Sequence, residues 1–275
     1  DDDMSSVSAA KPEWVFLTRG LRNLAKTVSF SLKNRNLPTN VLKKRPLEEH
    51  RPSLIALKLI GFDHSLLERQ QAGKMRVLFI GEIVGKAGVF CIKTMLKELV
   101  EEKGIDFVVA NGDGTTGGMG IGKNHSIYLR KLGIDVITTG EAVFYKKDMV
   151  PHLPKAPYIL RAANYPPQNP GRGWRVYTKG DNKLAVISLM GQAGFNRVHL
   201  SNPFTFLPEL VSRAKQETNA IILDFHAATT AEKRTMFYHA DGTLSGIFGT
   251  HGRTLTADAE IMEKGTFVIT DTGRT

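Results

Sequence analysis

Short apolar, β-branched runs recur along the chain from Met75 onward, and several are followed by a loop and then by an amphipathic stretch. This alternation of buried strands with helices predicts an α/β fold. The predicted strands cover residues 76–80, 106–110, 135–138, 174–178, 184–189, 220–224, 246–248 and 266–270. The predicted helices cover residues 89–103, 124–132 and 208–217.

Two of these runs, 174–178 and 184–189, are separated by the turn-forming residues Lys179-Gly180-Asp181-Asn182. A short polar turn containing glycine and asparagine between two apolar runs predicts a β-hairpin. The hairpin introduces antiparallel pairing, so we expect mixed sheets.

The first 74 residues lack the strand-loop-helix pattern, and we divide the chain into a basic extension, 1–74, and an α/β domain, 75–275. Eight Lys or Arg and no Asp or Glu lie between Trp14 and Leu47, within a chain of net charge +10. Such a segment cannot bury much surface alone, so we expect it to be largely extended or ordered on a partner. Its cations would displace counterions from a phosphate backbone. The candidates for nucleic-acid contact are Arg19, Arg22, Lys26, Lys33, Arg35, Lys43, Lys44 and Arg45. A solvated tail or the remnant of a targeting segment is the alternative interpretation.

Acids and histidines follow the predicted strands, where α/β proteins place their ligands. They are Glu82, Asp113, Glu141, His226 and His251. A constellation of carboxylates and imidazoles spread over a whole domain is typical of a two-metal hydrolase. The single cysteine, Cys91, excludes an intramolecular disulfide and a cysteine-based zinc site.

A glycine-rich loop from Gly117 to Asn124 has nearly the spacing of a phosphate-binding P-loop. However, Asn124 stands where a magnesium-binding Ser or Thr would be required, and the loop begins well past its strand. Tight packing of the backbone beside a neighbouring loop is the better explanation for these glycines.

At the strand ends the chain resembles the calcineurin-like metallophosphoesterases, specifically their YmdB-like branch. The resemblance runs from Met75 to about Thr272 and rests on many short segments in order. They include Phe79-Ile80-Gly81, Asn111-Gly112, residues 135–140, residues 160–167, Asp224-Phe225-His226-Ala227, Gly249-Thr250-His251 and Ile269-Thr270-Asp271. The resemblance implies two mixed sheets packed face to face and flanked by helices. It also implies hydrolysis of phosphodiesters or phosphomonoesters with two divalent metals.

The departures from the family pattern fall on the residues of the chemistry. Glu82 stands where the family has a metal-binding Asp, Asp113 where it has a bridging Glu, and Glu141 where it has a metal-binding Asn. Beside these, Gly114 replaces an Asn, Ala142 the catalytic histidine, Ala228 a Glu and Arg253 the last histidine, whereas His226 and His251 match family ligands.

Two of these changes oppose catalysis. Ala142 cannot transfer a proton, and loss of a general acid typically costs about 10²–10⁴ in rate. Arg253 brings a permanent cation to a ligand position, where it would oppose a metal ion or pair with Glu82, Asp113 or Glu141. We therefore expect no catalytic residue, no bound metal or other cofactor, and only the remains of a metal site.

From this loss we expect a catalytically inactive pseudoenzyme that serves as a structural or RNA-contacting subunit of a large assembly. The basic extension suggests a mitochondrial ribosome, with RNA and neighbouring protein subunits as partners and the mitochondrial matrix as the location, although a cytoplasmic location is compatible. The alternative is an active phosphodiesterase that acts on cyclic nucleotides or RNA ends with two divalent metals, Mn or Fe. A single-metal site built on His226 and His251 lies between the two. No apolar run approaches the roughly 20 residues of a membrane span.

Overall fold

The computed structural model describes residues 75–195 and 198–275, and the backbone of 13–17 and 27–28. All of the predicted nucleic-acid contacts, Arg19, Arg22, Lys26, Lys33, Arg35, Lys43, Lys44 and Arg45, lie outside the described residues, so they stay a prediction. The division at residue 75 also stays a prediction, although a short strand from before it joins the first sheet of the domain.

The strands and helices follow the sequence pattern closely. The strands are β1 (Glu13–Leu17), β2 (Thr27–Val28), β3 (Arg76–Ile80), β4 (Phe107–Asn111), β5 (Val136–Thr138), β6 (Ile159–Leu160), β7 (Trp174–Lys179), β8 (Asn182–Met190), β9 (Ile221–His226), β10 (Gly246–Thr250), β11 (Glu260–Ile261) and β12 (Phe267–Ile269). The helices are α1 (Gly85–Lys103), α2 (Lys123–Lys131), α3 (Pro203–Lys215) and α4 (Thr230–Ala240), with a 3₁₀ turn at Leu153–Lys155.

Within the described residues the strands form two six-stranded sheets. The first has the order β2-β1-β3-β4-β5-β6, and all its pairs are parallel except β1 with β2. The second has the order β11-β12-β10-β9-β8-β7, with antiparallel pairs at both edges. The predicted hairpin is β7–β8, in which Lys179 pairs with Asn182. Both sheets are therefore mixed, as expected.

The two sheets pack face to face because their strands are apolar on both sides. In β3, Val77 and Phe79 face the other sheet, while Leu78 and Ile80 face the helices. The Phe79 ring stacks on Phe248 of the second sheet, with centroids 4.3 Å apart. The first sheet packs its outer face on α1 and α2, and the second on α3 and α4. This arrangement confirms the predicted sandwich of two mixed sheets flanked by helices.

The helices differ from the prediction in three main places: α1 begins four residues early, at Gly85, α3 also begins early, and α4 was not predicted. Helix α3 begins five residues early, at Pro203, because the Asn202 side chain accepts a hydrogen bond from the Phe204 N–H and caps it. Helix α4 has weak apolar periodicity, and it is capped by the Thr229 hydroxyl, which accepts from the Glu232 N–H. Helix α1 ends where predicted, at Gly104 in the left-handed conformation.

Among the described residues, none of the helices is both long enough and apolar enough to cross a membrane. The glycine-rich loop before α2 packs as expected, because a Cβ on Gly120 would lie 2.7 Å from the backbone oxygen of Ala142. The glycines of this loop therefore allow it to approach the neighbouring loop closely.

Candidate metal centre

The candidate site lies where parallel strands of both sheets end. Glu82, Asp113 and Glu141 follow β3, β4 and β5 of the first sheet, whereas His226 ends β9 and His251 follows β10 of the second. The fold therefore brings carboxylates from one sheet toward imidazoles from the other. This is the edge at which α/β folds place their ligands.

Glu141, His226 and His251 form the closest group of potential metal ligands in the described part of the chain. Their ligand atoms all lie within 4.8 Å of one another. Glu141 Oε2 lies 2.5 Å from His226 Nε2, and Glu141 Oε1 lies 3.4 Å from His251 Nδ1. Two imidazole nitrogens with a carboxylate oxygen are donors suited to a divalent transition metal.

Buried hydrogen bonds fix the orientation of His226. The Thr250 hydroxyl donates to Asp224 Oδ1 at 2.6 Å, so it must accept at its contact of 2.9 Å with His226 Nδ1. His226 therefore carries a proton on Nδ1 and directs Nε2 at Glu141. Asp224 is itself held by Asn111 and Thr138 of the first sheet, which donate to its other oxygen. Supports of this kind orient the ligands of metal sites.

The backbone makes room for the His226 ring at Gly140. A Cβ at this position would lie 2.2 Å from His226 Nε2, closer than any real contact. Phe195 covers the imidazoles from another side, with its ring centroid 6.0 Å from that of His226 and 5.0 Å from that of His251. Gly140 and Phe195 thus enclose His226, whereas the side chain of His251 is 34% exposed.

The charges of the group reinforce one another. Burial disfavours the charged His226 imidazole, but the hydrogen bond to Glu141 and the nearby Asp113 carboxylate outweigh burial and raise its pKa to about 9. Burial also disfavours the Glu141 carboxylate, yet its hydrogen bonds with His226 and His251 lower its pKa below the usual range. In the metal-free protein the two therefore form an ion pair.

Asp113 brings a second carboxylate that the protein leaves partly unsatisfied. Its Oδ2 accepts from the Ala142 N–H at 3.1 Å, whereas Oδ1 is buried and has no hydrogen-bond partner among the described residues. Burial raises the pKa of Asp113 to about 6. A buried oxygen without a partner is costly unless a cation or a water molecule satisfies it.

Glu82, the first predicted ligand, is not part of the group around Glu141. Its buried carboxylate pairs with Arg274, whose Nε lies 2.9 Å from Oε2. The longer side chain fits because residue 114 is glycine, and a Cβ there would lie 2.6 Å from Glu82 Oε1. The predicted cation, Arg253, is instead exposed and makes no ion pair within the described residues.

A buried ion pair supports the loop that carries His251. Lys233 of α4 lies 2.5 Å from Asp271 Oδ2, and both side chains are about 95% buried, with exposures of 4% and 5%. The Asp271 carboxylate also accepts from the N–H groups of Gly252 and Gly273. His251 has a positive φ of 87°, which non-glycine residues rarely adopt, so this loop needs such anchors.

The sequence did not indicate Lys233, Arg274 or Phe195. Lys233 lies on a helix with weak periodicity, Arg274 meets Glu82 across 192 residues, and Phe195 lies in a loop after β8. Ala142 is buried, and only its backbone N–H serves the site. Arg161 is also buried and donates to backbone carbonyls, so it supports a loop and is not exposed to a ligand.

A match to the family described as YmdB-like protein covers residues 78–275. The chain is 35% identical over 201 residues to the 2',3'-cyclic-nucleotide 2'-phosphodiesterase of Bacillus subtilis, a match that spans 73% of this chain and 75% of the relative.

The chain belongs to the YmdB-like family. A solved structure titled as a novel phosphatase, from Mycoplasma pneumoniae, has a TM-score of 0.68 at 32% identity and covers 72% of this chain and 71% of its own. A hypothetical protein from Thermus thermophilus has a TM-score of 0.67 at 30% identity and covers 72% and 76%.

These relatives correct the expectation of an inactive subunit. The named YmdB-like relatives are a phosphodiesterase and a phosphatase, and they come from bacteria. Nothing in them supports a pseudoenzyme, a ribosomal protein or a mitochondrial location. The expectation gave too much weight to Arg253, which lies exposed, and too little to Glu141, whose carboxylate converges with both histidines.

The site also fits the divalent metal that membership in the family implies, against the expectation of none. Three ligand atoms converge, a glycine leaves space for an imidazole, and a buried carboxylate oxygen of Asp113 lacks a partner among the described residues. These properties are typical of a site that is completed by a cation.

Proposed function

We propose that this chain is a metal-dependent phosphodiesterase that acts on cyclic nucleotides or RNA ends. The observation that carries the proposal is the convergence of Glu141, His226 and His251 within 4.8 Å, beside the unsatisfied Asp113. The name of the Bacillus subtilis relative, a 2',3'-cyclic-nucleotide 2'-phosphodiesterase, supports this class of substrate.

In this proposal Glu141, His226 and His251 hold the ion, and Asp113 adds negative charge beside them. A divalent ion bound there would supply Lewis-acid chemistry toward a phosphoryl oxygen and a water molecule. The Asp224–Thr250 hydrogen bonds keep His226 in the tautomer that presents Nε2. Phe195 stacks beside the buried His226 imidazole, and exclusion of bulk solvent there strengthens the electrostatic interactions of His226.

Ala142 shapes the substrate preference that we propose. It has no proton to donate to the leaving oxygen, so departure of that oxygen depends on its own acidity. Esters with acidic leaving groups, such as nitrophenyl phosphodiesters, should therefore react much faster than alkyl esters. A steep dependence of kcat on leaving-group pKa is the expected kinetic signature.

The direct test is hydrolysis of 2',3'-cyclic AMP and of bis(p-nitrophenyl) phosphate with added Mn²⁺ or Fe²⁺. We expect turnover that chelation removes and that His226→Ala lowers by about a thousandfold or more. Arg213→Met, which breaks an exposed pair with Glu209 on α3, is the matched control. Absence of turnover on both substrates with either metal would contradict the proposal.

A further inference from the structure

The carboxylate that does not join the metal-ligand group is held by a cation of the chain itself. Glu82 is 7% exposed at its side chain, and Arg274 approaches it with two nitrogens, Nε at 2.9 Å and Nη2 at 3.5 Å. A backbone bridge between the same two residues fixes their relative position. The pair is therefore part of the framework of the site and not a chance surface contact.

This pairing removes the need for a metal at Glu82. A buried carboxylate requires a positive charge nearby, and a guanidinium meets that requirement permanently because it does not lose its proton in proteins. Glu82 also lies outside the described group whose ligand atoms fall within 4.8 Å. Its charge is thus satisfied without an ion.

Arg274 keeps part of its binding capacity free. Its Nη1 makes no hydrogen bond to the described residues, and its side chain is 30% exposed. The guanidinium is held on one side by Glu82 and is open on the other, as in sites where arginine binds phosphate oxygens.

The Arg274–Glu82 pair and the metal-ligand group flank the same residue. Glu82 Oε1 packs against Gly114, next to Asp113, and Asp113 Oδ2 accepts from the N–H of Ala142, next to Glu141. Glu82, Asp113 and Glu141 thus follow three neighbouring parallel strands, β3, β4 and β5, so the Arg274–Glu82 pair and the Glu141 group lie on either side of Asp113.

We propose that the centre holds a single divalent ion and that Arg274 supplies the second positive charge, binding a phosphate oxygen of the substrate. This inference rests on the proposed phosphodiesterase function and departs from the two ions that the sequence resemblance implied. Glu82 acts through Arg274 as a positioning residue, whereas Arg274 contacts the substrate.

Two measurements on the full chain test the proposal. The first counts ions by elemental analysis and by electron paramagnetic resonance during a Mn²⁺ titration. We expect one Mn²⁺ per chain and the spectrum of an isolated ion. The second measures the affinity of the Mn²⁺-loaded protein for inorganic phosphate by calorimetry, in the wild type and in Arg274→Met, Arg274→Lys and the control Arg213→Met.

We expect Arg274→Met to keep its single Mn²⁺ and to lose about tenfold or more in phosphate affinity, the usual effect of one charge-assisted hydrogen bond. Arg274→Lys should recover part of that loss, and Arg213→Met should match the wild type. Two coupled ions in the wild type, or unchanged phosphate affinity in Arg274→Met, would overturn the proposal and leave the phosphodiesterase function standing. No bound ion would overturn both. The number of Mn²⁺ ions bound by the wild type is measured without any variant, so it tests the single-ion proposal even if Arg274→Met does not fold.

Discussion

Two carboxylates of the same cleft, Glu141 and Glu82, are neutralised in different ways. Glu141 faces the imidazoles of His226 and His251, whereas Glu82 faces the guanidinium of Arg274. An imidazole can lose its proton and become a metal ligand, but a guanidinium cannot. The Glu141 half of the cleft, which is Glu141 with His226 and His251, can therefore exchange protons for a metal ion. The Glu82 half, which is Glu82 with Arg274, already holds a cation of the chain.

The largest effect should come from removing the charge of one glutamate at a time. Glu141→Gln keeps an oxygen donor but removes the only negative charge among the three converging ligands, and it should lower Mn²⁺ affinity on the order of a hundredfold because carboxylate oxygens suit Mn²⁺. Glu82→Gln, the matched variant, should change Mn²⁺ affinity less than about threefold. Calorimetric titration of both gives the comparison, and equal losses would show that both halves bind metal.

The next largest effect concerns the anchor that the two halves share. Asp271 accepts from the N–H of Gly252, beside His251, and from the N–H of Gly273, beside Arg274. Lys233→Met would leave its buried carboxylate without a charged partner and should lower the free energy of unfolding by about 3 kcal/mol or more.

Urea unfolding of the metal-free protein measures this loss. The exposed Arg213–Glu209 pair is the control, and Arg213→Met should cost less than about 1 kcal/mol. If Lys233→Met unfolds like the control, the buried pair is not what holds the His251 loop.

The prediction from sequence succeeded where a local pattern determines the structure. Strands β3 and β7 begin where predicted because they lie between clear turn signals. Glu141, His226 and His251 lie close together because all three stand at or just after the ends of parallel strands, and their role as ligands stays a prediction. Lys233 and Arg274 were not found, since their partners lie 38 and 192 residues away and no local pattern encodes such pairs. Helix α4 itself was not predicted, and a lysine is rarely buried, so nothing in the sequence pointed to Lys233 in the core.

The third prediction uses the protons of the Glu141 half. His226 has a folded-state pKa of about 9 against an unfolded value of 6.5, raised by the carboxylates of Glu141, Asp113 and Asp224. The stability that this gives is complete below pH 6.5 and is lost as the pH rises through 9. The loss is at most about 3–4 kcal/mol, since each unit of pKa difference corresponds to about 1.4 kcal/mol.

Urea unfolding of the metal-free protein between pH 6.5 and 9 measures the slope, and Glu141→Gln should flatten it. In the same range Mn²⁺ must displace the His226 proton, so its affinity should rise with pH as stability of the metal-free protein falls. Glu82→Gln leaves the His226–Glu141 pair in place and should keep the slope. A flat wild-type profile would contradict the ion pair between His226 and Glu141.

The smallest effect separates the two arginines of the site. The resemblance placed Arg253 at a ligand position, but its side chain is exposed and makes no ion pair with the described residues, whereas Arg274 pairs with buried Glu82. Arg253→Met should therefore change the free energy of unfolding by less than about 0.5 kcal/mol and leave one Mn²⁺ per chain. If Arg253→Met raised the count to two ions, Arg253 would be the cation that excludes the second metal. The assignment of that role to Arg274 would then be wrong.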